Sequence, residues 1–143
     1  MEIIPANLLD LGPLRKLEQV CFPTDAWPLL DLITVLGSPS VVRLKAVENG
    51  QMIGFIAGDR IDGTGWVATV GVLPEYRHRG IGQALIEACE VQLKFDRVRL
   101  CVRESNLEAI RLYGKLGYQV VDTWYRYYKD GSNALVMEKS RAH

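Results

Sequence analysis

The spacing of the hydrophobic positions alternates along this chain between the period of a helix and the period of a strand. The N-terminal half predicts a helix over 8–21, a shorter helix that ends at Leu36, and strands over 41–47 and 52–60. Asn49-Gly50 separates the two strands and is a strong signal for a two-residue hairpin turn. We therefore expect two helices followed by an antiparallel hairpin in this half.

The C-terminal half alternates strands with helices. Its pattern predicts, in order, a strand over 66–73, a helix from Gly80 to about Leu93, a strand over 96–102, a helix over 106–116, and a hairpin of strands 119–128 and 134–138. The first of these strands is almost continuously apolar, as expected of a central strand that is covered on both faces. The whole pattern predicts an α/β (α+β) fold with a mixed central sheet of about six to seven strands and about four helices.

Length, composition and charge narrow the class of protein. The chain has 143 residues, of which 48% are hydrophobic, which suits one domain, residues 1–143, around a single core. Its 17 basic and 17 acidic residues give no net charge, so we expect neither nucleic acid nor an anionic membrane as a partner. No apolar run is long enough to span a bilayer and the N-terminus lacks the features of a signal peptide, so a cytoplasmic location is expected.

Cysteine and histidine are too few and too scattered for several kinds of catalytic site. The three cysteines, Cys21, Cys89 and Cys101, form no Cys-x-x-Cys pair, and only two histidines could complete a metal site, so no metal is expected. His143 is the last residue and His78 lies in a basic loop, which argues against a Ser-His-Asp or Cys-His group. Free thiols in a reducing compartment are the expected state of the cysteines.

A basic, glycine-rich loop separates the continuous apolar strand from the following helix. Its sequence, Arg77-His78-Arg79-Gly80-Ile81-Gly82, places unpaired backbone N–H groups and a helix dipole where a di-anion can bind. The loop lacks the Gly-Lys-Ser/Thr of a Walker A site and the third glycine of a dinucleotide-binding fold. An ordinary glycine-rich turn from strand to helix is the alternative for this hexapeptide.

Several linked motifs around this loop resemble those of the GNAT superfamily of acetyl-CoA-dependent N-acyltransferases. They are Val70-Gly71-Val72, Arg77-x-x-Gly80-x-Gly82, Asn106 with Tyr113 seven residues later, and Leu116-Gly117-Tyr118. The clear match covers residues 66–138, and the N-terminal half agrees in the order of its elements. The resemblance implies the GNAT fold with splayed central strands, acetyl-CoA as the acyl donor and CoA as a product.

The resemblance also assigns residues to the binding of acetyl-CoA. Backbone groups of Val70, Gly71 and Val72 would bind the pantetheine arm as an added strand would. The pyrophosphate would lie on the backbone of the loop and of the first helical turn, formed by Arg77, His78, Arg79, Gly80, Ile81, Gly82 and Gln83. The side chains of Arg77 and Arg79 would add charge, or would belong to a solvated basic turn.

Two positions after the next strand complete the implied site. Asn106 corresponds to a residue that contacts the cofactor, although asparagine is also a favoured helix N-cap. Tyr113 corresponds to the general acid that protonates the departing CoA thiolate, with a core tyrosine on an apolar helix face as the alternative. The implied reaction is direct attack of a neutral amine on the thioester, with a backbone N–H near Val72 at the developing oxyanion.

Within this superfamily the chain is most similar to the ribosomal-protein-alanine N-terminal acetyltransferases. The similarity rests on Leu100-Cys101-Val102-Arg103-x-Ser105-Asn106, on Arg126-Tyr127-Tyr128-x-Asp130-Gly131, and on Cys21-Phe22-Pro23 with Trp27. It implies Trp27, Tyr127 and Tyr128 as peptide contacts, with amphipathic surface aromatics as the alternative. The chain departs from the pattern in two ways: Cys101 replaces the glutamate that usually serves as general base, and Ser132-Asn133 replaces an acidic pair.

The missing glutamate bears on the identity of the acceptor. Cys101 itself is expected to be an inert small side chain rather than a reactive thiol. An α-amine with a pKa near 7.8 is about a tenth neutral at pH 7, whereas a lysine amine near 10.4 is about 0.04% neutral, a difference of roughly 3.5 kcal/mol. We therefore expect acetyl transfer to a peptide or protein N-terminal α-amine. A small-molecule amine acetyltransferase and a catalytically weak acyl-CoA-binding sensor are the alternatives, and either a monomer or a homodimer is expected.

Overall fold

Seven strands and four helices make up the part of the chain that the structure describes. This computed structural model describes residues 1–94 and 96–140. The helices are α1 (Leu11–Cys21), α2 (Leu29–Gly37), α3 (Ile81–Leu93) and α4 (Leu107–Lys115). The strands are β1 (Glu2–Pro5), β2 (Val42–Glu48), β3 (Gln51–Ile61), β4 (Thr64–Val72), β5 (Arg97–Arg103), β6 (Gln119–Trp124) and β7 (Ala134–Ser140).

The strands form one mixed sheet in the order β1-β2-β3-β4-β5-β7-β6, with an apolar core on each face. Neighbouring strands are antiparallel except for β4 and β5, which are parallel. Ile56 of β3 packs in the core that contains α3 and α4, whereas Phe55 packs in the core that contains α1 and α2. A Cβ at Gly58 would lie 2.9 Å from Cys89 Sγ, so only glycine lets α3 approach β3 this closely.

The hydrogen-bonded pairing between the central strands β4 and β5 covers only the first part of β4. Gly65, Trp66 and Val67 pair with β5, and in the described residues the pairing between these strands ends there. The pairing of β4 with β3 continues as far as Val72, while β5 pairs along its length with β7. The central strands are therefore splayed, as the family resemblance implies.

The sequence-based prediction misses one strand and misplaces one end of two other elements by three residues or more. The prediction lacks β1, because four residues ending in Pro5 give too short a pattern; this strand forms at the sheet edge, where proline is tolerated. α1 begins at Leu11 rather than Leu8, because Asn7 caps a separate 3-10 turn over 8–10. β6 ends at Trp124, so that residues 125–133 form a loop rather than an extension of the hairpin.

The described residues contain neither a membrane-spanning helix nor a cluster of metal ligands. No helix in residues 1–94 and 96–140 is long and apolar enough to cross a membrane. In that part of the chain no group of three or more His, Cys, Asp or Glu side chains is arranged to hold a metal ion. Cys21, Cys89 and Cys101 are free thiols.

Candidate active site

A β-bulge in β4 aims two consecutive side chains at the same face of the sheet. β4 has one residue more than β3 between Val67 and Thr69, so Ala68 is the extra residue. Val67 packs in the core beneath α3, and the β3 partner of Thr69, Ala57, packs in the core beneath α1 and α2. Ala68 and Thr69 therefore both face the side of the sheet covered by α1 and α2.

Beyond the bulge, the edge of β4 that faces β5 is open. Pairing with β5 ends at Val67 in the described residues. At the far end of β4 the Val72 carbonyl accepts hydrogen bonds from Arg77 Nε at 2.9 Å and from Cys21 Sγ at 3.4 Å. Apart from the Val72 carbonyl, the backbone over 68–72 resembles a sheet edge to which an extended ligand can add as a further strand.

The first turn of α3 offers backbone N–H groups to an anion. Gly80 precedes the helix with a φ of 78°, a left-handed conformation that glycine adopts without strain. As in any first helical turn, the amides of Ile81, Gly82 and Gln83 have no intrahelical acceptor, and within the part of the chain that is described no side chain caps them. The helix dipole adds a partial positive charge at the same place.

The basic side chains of the loop each contact a protein acceptor. Arg77 donates to the carbonyl of the last β4 residue, Arg79 Nη1 lies 3.8 Å from Glu48 Oε2, and His78 Nε2 lies 3.3 Å from Glu108 Oε1. These side chains are exposed, so the contacts add little to stability. The backbone amides of α3 are consequently better placed than the arginine side chains to form the centre of an anion site.

Gly82→Val is expected to separate cofactor binding from folding. A Cβ at Gly82 would meet only ordinary contacts, 3.7 Å from Leu112 Cδ2 and 3.9 Å from Val72 Cγ2. We expect a melting temperature within about 5 °C of wild type and, by calorimetry, about tenfold weaker CoA binding, because the side chain occupies the space of the diphosphate. Gly12→Val, where an added Cβ has no atom within 4 Å, is the matched control. Equal CoA affinity in the two variants would argue against a diphosphate site here.

Tyr113 on α4 has a buried ring and a hydroxyl that is free to act on a ligand. The residue is 9% exposed and packs edge-on against Tyr118, with ring centroids 6.2 Å apart. Burial raises the pKa of Tyr113 to about 12, so the phenol keeps its proton at neutral pH. Among the described residues no group hydrogen-bonds this hydroxyl, whereas the Tyr118 hydroxyl donates to Glu90 Oε2 at 2.7 Å. Tyr113 is therefore the better proton donor of the two.

Asn106 caps the helix that carries Tyr113. Its side-chain oxygen accepts a hydrogen bond from the Ala109 backbone N–H at 3.2 Å. Asn106 is therefore the N-cap of α4, the alternative role that the sequence allowed for it. The cap uses the side-chain oxygen, so the amide nitrogen can still donate to a ligand.

A pocket of about 440 Å³ opens on the α1 and α2 side of the bulge. Its walls come from the α1–α2 loop, the splayed strands and the β6–β7 loop, and consist of Asp25, Trp27, Ala68, Cys101, Tyr127, Tyr128 and Lys129. The three aromatic residues singled out in the sequence, Trp27, Tyr127 and Tyr128, are therefore brought together. Tyr127 also continues a row of rings, since its centroid lies 5.0 Å from that of Tyr128 and 5.4 Å from that of Trp124.

Cys101 forms part of the pocket wall without being a reactive group. The residue is half-buried, and burial raises the pKa of its thiol to about 11. The thiol is then almost entirely protonated at neutral pH, and a neutral thiol is neither a base nor a strong nucleophile. The inert role of Cys101 stays a prediction, and the structure places this side chain at a pocket rather than in the centre of the core.

Arg103 at the end of β5 joins the two loops that wall the pocket. Its Nε and Nη2 donate to the two carboxylate oxygens of Asp25 at 2.7 and 2.8 Å, and its Nη1 donates to Asp130 Oδ2 at 3.0 Å. The guanidinium carbon also lies 4.3 Å from the ring centroid of Tyr128. Hydrogen bonds from Ser132 and from Arg103 lower the pKa of Asp130 to about 2. We call Arg103, Asp25, Asp130 and Tyr128 the Arg103 cluster.

Sequence reasoning did not find the Arg103 cluster and did not place the bulge at Ala68. Arg103 and Asp25 are 78 positions apart, and no local spacing links them. Arg103 and Asp130 do belong to the motifs at 100–106 and 126–131, which was the one signal available. The bulge at Ala68 has no signature in an apolar strand, because it depends on the pairing with β3.

The architecture defines a class of protein. A mixed sheet that splays between parallel central strands, with an uncapped helix N-terminus after the splayed strand and a pocket across the sheet, is the arrangement of acyl-CoA N-acyltransferases. The Acetyltransferase (GNAT) family model matches residues 12–118, more than half of the chain. The chain belongs to this family.

Individual relatives and solved structures agree with this assignment. An N-alpha-acetyltransferase of Sulfurisphaera tokodaii is 31% identical over 92% of this chain and 88% of its own length. N-alpha-acetyltransferase 50 of Danio rerio is 36% identical over 97% and 86%. The crystal structure of the ribosomal-protein-S18-alanine N-acetyltransferase from Escherichia coli superposes with a TM-score of 0.87 at 26% identity, over 99% of this chain and 96% of that one.

A further crystal structure shares the fold at lower identity. Arabidopsis thaliana NAA60 in complex with acetyl-CoA superposes with a TM-score of 0.86 at 22% identity, over 97% of each chain. Together with the closer relatives, it confirms the predicted mixed α/β fold. The family match and the relatives also confirm the predicted enzyme class, an N-acetyltransferase.

Proposed function

We propose that this protein transfers the acetyl group of acetyl-CoA to the α-amine of a peptide or protein N-terminus. One observation carries the proposal: two sites meet at the bulge of β4. On one side of it run the open edge over 68–72 and the amides that begin α3; on the other lies the aromatic pocket. Ala68 belongs to both, so a thioester held along the strand would meet an amine held in the pocket.

The donor side of the site is supported by backbone geometry. The open edge of Val70, Gly71 and Val72 would bind the pantetheine arm in an extended conformation, and the amides of 80–83 would bind the diphosphate. A backbone N–H near Val72 would stabilise the developing oxyanion, and Tyr113 would protonate the sulfur as it leaves. Arabidopsis thaliana NAA60, which shares this fold, was crystallised in complex with acetyl-CoA.

The acceptor side favours an α-amine over a lysine side chain. Among the described residues that line the pocket the one carboxylate, Asp25, has both of its oxygens held by Arg103, so the wall itself presents no free anion to a strongly basic amine. About a tenth of an α-amine is neutral at pH 7, and this neutral fraction is roughly 250 times that of a lysine amine. Relatives with well-matched lengths are themselves named N-alpha-acetyltransferases. A cytoplasmic location, which the three free thiols support, is part of the same proposal.

Thiol release from acetyl-CoA over a matched set of acceptors tests the proposal. The set is one short peptide with a free N-terminus, the same peptide N-formylated, the formylated peptide with one lysine, and a small primary amine. We expect turnover with the free peptide and at least about a hundredfold less with the lysine form. Preferred acetylation of lysine would overturn the α-amine assignment, and preferred acetylation of the small amine would favour the small-molecule alternative.

Truncation of the aromatic wall refines the same test. Tyr127→Ala is expected to lower turnover of the peptide more than turnover of the small amine, because only the longer acceptor reaches the β6–β7 loop. CoA binding by a folded protein with no turnover on any acceptor would instead support the acyl-CoA sensor.

A further inference from the structure

Glu18 of α1 is a buried carboxylate without a cation. The residue is 1% exposed, and within the described residues no Lys, Arg or His nitrogen lies within 4.0 Å of its oxygens. The Trp27 backbone N–H donates to Oε1 at 3.4 Å, and Thr69 Oγ1 donates to Oε2 at 3.2 Å. Burying a carboxylate with only neutral partners is costly, and such groups are concentrated at functional sites.

Both hydrogen-bond partners of Glu18 belong to the wall of the acceptor pocket or adjoin it. Trp27 lines the pocket directly, and Thr69 follows Ala68, which also lines it. The bulge turns Ala68 and Thr69 toward the same side of the sheet. Glu18 therefore hydrogen-bonds one residue that lines the pocket, Trp27, and the sequence neighbour of another, Thr69.

The direction of the Thr69 hydrogen bond suits proton transfer. Because the hydroxyl proton is directed at Glu18, the oxygen lone pairs of Thr69 are left to accept an N–H from the other side. When Thr69 Oγ1 receives a proton from that side, its own hydroxyl proton can move to the Glu18 carboxylate. Burial also raises the pKa of Glu18, which brings it closer to the pKa of an amine and makes that transfer less unfavourable.

The other groups of the pocket are poor proton acceptors. Asp25 has both oxygens engaged by Arg103, and Lys129 is a cation. Burial raises the pKa of Cys101 to about 11 and that of Tyr128 to about 12, so both are neutral and already protonated. A carboxylate behind the wall is thus the strongest base that these residues provide.

We propose that Glu18 accepts the first proton of the acceptor ammonium through the Thr69 hydroxyl. The proposal rests on the proposed function, because it concerns the same pocket. The ammonium N–H bond breaks as Thr69 takes that proton and passes its own to Glu18, which later releases it to solvent. The neutral nitrogen then forms the bond to the acetyl carbon, and its second proton leaves to solvent as the carbon–sulfur bond breaks. Tyr113 protonates the sulfur and regains a proton from solvent, so one proton is released in each turnover.

Few titratable groups act on Glu18. Cys21, on the same helix, interacts electrostatically with Glu18, and burial raises the pKa of this thiol, which keeps it neutral. Arg77 and Glu75 act on Cys21 from the segment after β4 and oppose each other in charge. From the α1–α2 loop only the Trp27 backbone N–H contacts Glu18, and Thr69 contacts it from β4.

The pH dependence of kcat in Glu18→Gln tests the proposal. At pH 7 we expect about a tenfold loss, because only about a tenth of an α-amine is neutral without a base. At pH 9 the amine is mostly neutral in solution, so the loss should shrink to within about twofold. A merely structural role for Glu18 would lower kcat by a similar factor at both pH values, and that result would overturn the proposal.

Two variants of Thr69 keep the test decisive even if Glu18→Gln folds poorly. Thr69→Val removes the hydroxyl at nearly constant shape and should reproduce the same pH-dependent loss, whereas Thr69→Ser keeps a hydroxyl and should restore most of the kcat that Thr69→Val loses at pH 7. Glu2→Gln, on the exposed edge strand β1, is the matched control, and melting temperature and CoA affinity report folding. Full activity of Thr69→Val at pH 7 would also refute the relay. Absence of wild-type turnover on every peptide would instead refute the proposed function itself.

Discussion

Tyr113→Phe is expected to lower kcat for peptide acetylation by about 10²- to 10⁴-fold, the range over which a general acid contributes. The substitution keeps the buried ring and its edge-on contact with Tyr118 and removes only the hydroxyl. Because that hydroxyl has no partner among the described residues, its loss leaves no buried group unsatisfied. We therefore expect the melting temperature and the Kd of acetyl-CoA to change little, so that the effect falls on the chemical step.

Tyr125→Phe is the control for this experiment, since Tyr125 is 77% exposed and lies outside both binding sites. Because burial raises the pKa of Tyr113 to about 12, the acid is lost only as the pH rises through that value. Wild-type kcat should accordingly show no alkaline decline from this group below about pH 10. If Tyr113→Phe keeps more than about a third of wild-type kcat, Tyr113 is a core tyrosine and not the proton donor.

Arg103→Gln is expected to lower kcat/KM for the peptide by about ten- to a hundredfold, mainly through KM. The substitution removes the paired hydrogen bonds to Asp25 and the contact with Asp130, so both loops that wall the pocket lose their common anchor. The open edge of β4 and the first turn of α3 contain none of these residues, so the KM of acetyl-CoA should stay within about threefold of wild type.

Two further variants show whether the geometry of the guanidinium matters. Arg103→Lys keeps the charge but cannot donate to both oxygens of Asp25 in one plane, so it should be only partly active. Arg97→Gln is the matched control, because Arg97 lies on the same strand but is exposed. Its Nε lies 3.9 Å from Glu138 Oε1. The contact with Asp130 persists above the lowered pKa of about 2 and is lost as the pH falls through it, so assay pH should not alter this comparison. An unchanged peptide KM in Arg103→Gln would exclude an anchoring role.

The segments around the donor site were predictable because local chemistry decides them. The continuous apolar run of β4 and the glycine at 80 specify a central strand and a helix start, and Asn106 and Gly117 mark the ends of α4. The strand is less covered than its apolar run predicts, because Ala68 is exposed at the pocket. Each signal acts within a few residues, through backbone conformation or capping. The same signals carry the family motifs, which is why fold and enzyme class could be inferred together.

The acceptor side was less predictable because it depends on contacts between distant segments. Glu18 lies in an amphipathic helix, where a glutamate normally indicates the exposed face, yet it is fully buried against Thr69, 51 positions away. The sequence named the aromatic residues at 27, 127 and 128 but did not predict that they meet. Their positions depend on where β6 ends, at Trp124, and on the contacts of Arg103 with Asp25 and Tyr128. Residue type suggested their role, and tertiary packing decides their position.

Calorimetric titration of the folded protein with CoA is the most direct measurement of the central claim, that the open edge of β4 and the amides of α3 hold the acyl donor. We predict saturable binding of one CoA per chain, weakened about tenfold in Gly82→Val and unchanged in Gly12→Val. A well-folded wild-type protein that produces no heat of binding with CoA or acetyl-CoA would contradict the account.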